Sequence, residues 1–176
     1  MLPAPTPANP DFPPPILDIE ASGFGFGSYP IELGIVMPDD RSWCTLVRPE
    51  PDWLHWDPGA AAMHNITREN LRRHGRSSGE VADVLNEWLN GQVVYSDAWA
   101  HDYTWMNRLF EAAGRQPHFK LDNLRGLLSE SEAARWHEVK SRVASSMTLK
   151  RHRASSDARL LQSTLLFIRQ QSTAGG

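Results

Sequence analysis

The alternation of apolar and polar positions divides this chain into short strands and amphipathic helices. Ile16–Glu20 is apolar except at Asp18 and Glu20 and predicts a first strand. Pro30–Met37 reads as a second and Arg41–Arg48 as a third, joined through Pro38-Asp39-Asp40 into a hairpin that Pro49-Glu50-Pro51 stops. Between the first two strands lies a glycine and aromatic loop, Gly23 to Tyr29, without the lysine and hydroxyl residue of a phosphate-cradling loop. Trp53 to Met63 is expected to be irregular. Thr67 is placed to cap a short helix through Arg73 that ends near Gly75. Ser77 and Glu80 form a capping box ahead of Val81, Val84, Leu85, Trp88 and Leu89, which recur at helical spacing. Gln92–Ser96 is a fourth strand. Trp105, Met106, Leu109, Phe110 and Ala113 mark the inner face of a helix from about Tyr103, with Gly114 as its stop. A short fifth strand over Phe119–Leu121 follows, then helical stretches over Leu124–Leu128 and Ala133–Val143. A last helix from Ser155 to Gln170 is carried by Ala158, Leu161, Leu165 and Ile168. A hairpin followed by strands that alternate with helices implies an α/β layer fold with a mixed sheet.

The length of 176 residues suits one domain with a full core. We expect residues 15–170 to form it, with a Pro-rich disordered tail over residues 1–14 and a frayed end over residues 171–176. No apolar run approaches the ~18 residues a membrane span requires, and the first residues lack the basic start and apolar core of a signal peptide. The single cysteine, Cys44, sits in the apolar run Trp43 to Val47 and is expected to be a buried, inert thiol. A cytoplasmic protein with no membrane partner is the expectation. A net charge of −3 argues against a uniformly basic duplex-binding surface. Basic residues nevertheless gather in two groups, Arg68 to Arg76 and Lys140 to Arg159, either of which would also serve as a solvated helical face.

Asp18 and Glu20 bear on chemistry. At i, i+2 in a strand both side chains point to one face. Two carboxylates sharing a site raise the cost of ionising each other unless a cation lies between them. The pair therefore reads as half of a metal site. Two partners appear later in the chain. Asp102 lies where the fourth strand hands over to a helix, where it would bring a third carboxylate to the same sheet edge or simply cap the helix. Asp157 opens the last helix, five residues after His152, so a loop-to-helix corner would direct Asp157 to the metal and leave His152 on the lip above it.

This arrangement resembles the DEDDh 3′–5′ exonucleases, which share a ribonuclease-H-like fold. Asp18-Ile19-Glu20-Ala21-Ser22-Gly23 is similar to their first motif and Asp97 to Asp102 to their second. His152 through Asp157-Ala158 resembles the third, and His64-Asn65-Ile66-Thr67 a further motif ahead of a helix. In the second motif only the final aspartate matches, with Asp97, Ala98 and His101 replacing the family's His, Asn and Phe; Asp102, at the helix start, is the preferred ligand over Asp97.

The resemblance implies a three-layer fold with a mixed five-stranded sheet flanked by helices. It also implies two Mg²⁺ or Mn²⁺ ions held by Asp18, Glu20, Asp102 and Asp157, with Glu20 and His152 catalytic and His152 the general base. Single-stranded nucleic acid 3′ ends are the implied partner, and a homodimer is in keeping with the family. Ser22, Gly23, Phe24, His64, Asn65, Trp99, His101 and Arg153 are the expected substrate contacts, Phe24 as a stacking platform. Lys150, Arg151 and Arg153, with the Arg68 to Arg76 group, are expected to meet phosphates. An endonuclease and a non-catalytic binding domain are the rivals; the complete set of four carboxylates and a histidine counts against the second.

Overall fold

In the computed structural model, residues 12–147 and 152–174 are described. The tail over residues 1–11, Lys150, Arg151, Gly175 and Gly176 lie outside them. Five strands form one mixed sheet in the order β3-β2-β1-β4-β5. They are β1 (Ile16–Ala21), β2 (Pro30–Val36), β3 (Ser42–Leu46), β4 (Val93–Ser96) and β5 (Lys120–Asn123). The first three are antiparallel neighbours, whereas β4 runs parallel to both β1 and β5. Among the described residues six α-helices accompany the sheet: α1 (Pro58–His64), α2 (Arg68–His74), α3 (Ser78–Leu89), α4 (Trp99–Ala113), α5 (Glu130–Ser146) and α6 (Ala154–Ala174). This is the expected ribonuclease-H-like layering, and no helix among the described residues is long and apolar enough to cross a membrane.

The two faces of β1 and β2 are read directly from the pleat. Leu17 and Ile19, with Ile31, Leu33 and Ile35 of β2, join Leu85 and Leu89 of α3 and Trp105 and Leu109 of α4 in one core. On the opposite face Ile16 and Val36 join Trp136 and Val139 of α5 and Ala158, Leu161 and Leu165 of α6. Register pairs Ile16 with Val36, Asp18 with Gly34 and Glu20 with Glu32. The α6 side of the two strands therefore grades from apolar to acidic toward the end of β1.

Local signals account for most boundaries. Thr67 caps α2 by accepting from the Asn70 N–H, and both halves of the Ser77–Glu80 capping box are formed. Three expectations need correcting. The stretch read as irregular contains α1, capped by Asp57 and opened by Pro58, a residue whose missing N–H costs nothing at a first helical position. Helix α4 begins at Trp99 rather than Tyr103, since its first turn buries a carboxylate, Asp102, rather than an apolar side chain. Cys44 is exposed, because β3 is the sheet's edge strand and its run of apolar residues is only half covered. At the ends, Pro14 is buried with its carbonyl bonded to Gln162, and α6 continues through Ala174.

Candidate functional site

Where β1 ends, beside the first turns of α4 and α6, a cleft of about 270 Å³ opens. Its walls bring together Asp18, Glu20, Gly23, Phe24, His64, His101, Asp102, His152 and Asp157 from four separate parts of the chain. Each carboxylate is aimed by its element. Asp18 and Glu20 share the α6 face of β1, Asp102 lies on the first turn of α4, and Asp157 on the first turn of α6. One side-chain ligand atom from each of Glu20, His152 and Asp157 lies within 4.8 Å of the other two.

Burial first, and crowding of like charge second, govern the electrostatics. Burial holds the Asp18 carboxyl well above the ordinary carboxylate range, and Asp102, Glu20 and Asp157 push it further. Glu20 is raised to about 7 by burial, then by Asp157 and Glu32, with Arg153 opposing. Asp102, only 1% exposed, is likewise raised to about 7 by burial, against a hydrogen bond from the Ser96 hydroxyl that favours its charged form. An all-oxygen set whose members raise each other's pKa is one that a hard divalent cation relieves.

Around this centre stand aromatic and neutral groups. Phe24, 66% exposed, lies edge-on to His101 at 5.0 Å between ring centroids and contacts Trp105 at 5.9 Å. His101 in turn stacks on Trp105 at 5.6 Å. Gly23, at φ 141°, lets the loop pass His55 and Asp57, since a Cβ there would stand 2.6 Å from the Asp57 Cβ. His64 is buried, which holds its pKa below the ordinary histidine value; Nδ1 accepts from the Ile66 N–H, so Nε2 carries the proton. That Nε2 lies near the Ala21 carbonyl without completing a hydrogen bond.

Four expected substrate contacts do not line the cleft. Ser22 is buried, its hydroxyl accepting from the Tyr29 N–H and bonded to His55 Nδ1, so it shapes the loop under Phe24. Asn65 is the left-handed C-cap of α1. The Trp99 indole donates to the Leu121 carbonyl and its ring pairs with Tyr103, away from the pocket. Arg153 turns its guanidinium to Glu32. None of the Arg68 to Arg76 group lines the cleft; within it Arg68 donates to the Trp53 and Leu54 carbonyls and Arg73 pairs with Glu69. Two lining residues were not anticipated as a unit. Asp97, on the pocket wall, is bonded by Lys140 of α5 at 2.7 Å, so a fifth carboxylate arrives with a cation of its own, though it still pushes the Asp18 and Asp102 carboxyls up. Only the distance in sequence between these two concealed the pair.

No protein-family profile matches this sequence, and comparison with curated proteins found no relative. Solved structures do match in fold. One is E. coli exonuclease I in complex with a dA16 oligonucleotide, with a TM-score of 0.69 and 14% identity over 90% of this chain and 41% of that one. The zinc-bound E. coli exonuclease I complex with single-stranded DNA gives a TM-score of 0.68 and 14% identity, covering 89% of this chain and 40% of that one. Exonuclease I from Methylocaldum szegediense gives a TM-score of 0.69 and 13% identity, covering 89% of this chain and 40% of that one. The chain thus has the fold found in exonuclease I and spans about two fifths of the length of those chains.

Proposed function

We propose that this chain is a metal-dependent 3′–5′ exonuclease of the DEDDh type that removes nucleoside 5′-monophosphates from single-stranded DNA or RNA. The observation that carries this reading is the convergence of Asp18, Glu20, Asp102 and Asp157 with His152 in one cleft that also presents an aromatic shelf. The fold shared with exonuclease I, whose solved complexes contain single-stranded oligonucleotides, supports the same reading.

The four carboxylates would hold two Mg²⁺ or Mn²⁺ ions, a choice favoured by their hard oxygen donors. When bound, such ions stabilise the charge that develops on a phosphate in an in-line displacement. His152, beside Glu20 and Asp157, takes the proton of the attacking water. The new bond joins the water oxygen to the terminal phosphorus; the bond from phosphorus to the preceding 3′ oxygen breaks, leaving a shortened strand with a fresh 3′-hydroxyl. Phe24, backed by His101 and Trp105, supports the terminal base. His64, on the cleft wall beside it, offers ring carbon rather than its Nε2–H, which is turned inward toward the Ala21 carbonyl.

Labelled single strands with a free or a blocked 3′ end, incubated with Mg²⁺ or with a chelator, test this. Stepwise release of mononucleotides, prevented by the block and by the chelator, is expected. Interior cuts would make the chain an endonuclease, and binding without cleavage a non-catalytic domain.

A further inference from the structure

Glu32 is an acid in an otherwise apolar strand that is buried along its whole length, and it is 1% exposed. A carboxylate in such a place requires partners, because taking its charge out of water is costly. All those found come from one short segment. Arg153 Nε donates to both carboxylate oxygens at 3.0 and 3.1 Å, Arg153 Nη2 to one of them at 2.5 Å, and the Ala154 N–H to the other at 2.9 Å.

That segment is the start of α6. Arg153 follows His152, whose backbone takes a left-handed φ of 57°, and its carbonyl accepts the N–H groups of Ser156 and Asp157, both at 2.9 Å. The residue gripped by Glu32 is therefore the one that closes the first turn beneath Asp157. Two residues along β2, Gly34 lets the same turn lie on the strand, since a Cβ would meet the Ala154 carbonyl carbon and the Ser155 nitrogen at 2.3 Å. Across the register, Glu32 faces Glu20 and Gly34 faces Asp18.

We propose that Glu32 and Arg153 are positioning residues: their ion pair, buried at Glu32 and 39% exposed at the Arg153 side chain, is seated beside Gly34 and fixes the segment bearing His152 and Asp157 at its register against Asp18 and Glu20. This rests on the nuclease reading above for its kinetic consequence, though not for its structural one. An ion pair with one buried partner is a poor source of stability compared with apolar residues of equal volume, but its forked, directional bonds define one alignment. Misplacement of reacting groups by about 1 Å can cost on the order of 100-fold in rate. Arg153 thus acts through the alignment of Asp157 and His152 rather than on a phosphate.

The test compares the native protein with Arg153→Ala and with the double variant Glu32→Leu/Arg153→Met, which leaves no unpaired charge if the single variant folds poorly. Amide hydrogen exchange over residues 154–157 is expected to quicken at least tenfold in both, with exchange over residues 31–36 held within threefold in the double variant. With a short single-stranded oligonucleotide and Mg²⁺, kcat is expected to fall 10- to 100-fold while KM stays within threefold and its salt dependence is unchanged. Unaltered exchange over residues 154–157 in the double variant overturns the proposal. So does a raised KM with a shallower salt slope and intact kcat, the signature of a phosphate contact. A native protein without nuclease activity would sink the functional reading alone, leaving the exchange result to decide the positioning role.

Discussion

Replacing Asp102 with Asn is expected to make the metal-free protein more stable at pH 8 while abolishing its turnover. Asn keeps the shape of the side chain and an oxygen for the Ser96 hydroxyl, and removes only the charge. Burial raises the Asp102 carboxyl from its ordinary 3.8 to about 7. Between those values the folded protein holds a proton that the unfolded chain has released, so stability falls as pH rises across that window and is lowest above it. At about 1.4 kcal/mol for each pH unit, ionising Asp102 in the folded state costs on the order of 4 kcal/mol. Asp18 and Glu20 readjust their own protonation when that charge goes, which leaves a net gain of about 2 kcal/mol for the variant. For a domain of this size that is a rise of about 4–8 °C in Tm. Thermal unfolding in chelator at pH 8 and pH 5, then with Mn²⁺ at pH 8, measures it. The gain should shrink toward pH 5, where native Asp102 is protonated, and Mn²⁺ should stabilise the native protein far more than the variant. An Asp102→Asn protein no more stable than the native one at pH 8 in chelator would refute the placement of this carboxylate in a crowded, dry acidic site.

Because Glu20 and Asp102 both sit near pH 7 without metal, Mn²⁺ affinity measured by calorimetry should drop about tenfold or more for each pH unit below 7; a flat profile from pH 8 to 6 would contradict it. His152→Ala should lower kcat by about 100-fold or more and leave Mn²⁺ affinity within a few fold; lost Mn²⁺ binding would instead make this histidine a ligand. Asp97→Asn should cost much less activity than Asp102→Asn, since Asp97 is engaged by Lys140; equal losses would mean that the two aspartates have been assigned the wrong roles. Gly34→Ala should destabilise the protein by about 3 kcal/mol in urea unfolding, because the added methyl meets backbone of the α6 start rather than a movable side chain.

Much of this architecture is legible in the amino-acid sequence, for local reasons. The Ser77–Glu80 capping box, the alternation in β1 and the apolar spacing of α6 each act within one element, and each element formed where its pattern lies. What escaped depends on what lies across the fold. Helix α1 carries no apolar stripe, and only Asp57 and Pro58 announce it. The first turn of α4 escaped the apolar pattern because its inward position is given to Asp102. Arg153 sits in a basic run and so looks like a phosphate contact, until Glu32, 121 residues earlier, is seen to hold it. A single acid in a strand otherwise made of Pro, Ile, Leu, Gly and Val was the available hint, since such a group seldom stays unpaired. Trp99 followed the same course: its position in sequence beside Asp102 suggested the cleft, but a helix turns 100° per residue and carries it to the β5 side.

The grip of β2 on the start of α6 also bears on the order of assembly. Every other described element precedes α6 in the chain, yet the helix settles against the two central strands, and a quarter of the acidic quartet arrives with it. Until that long-range closure, Asp18, Glu20 and Asp102 are without Asp157 and His152, so the cleft is the last part of the molecule to be completed.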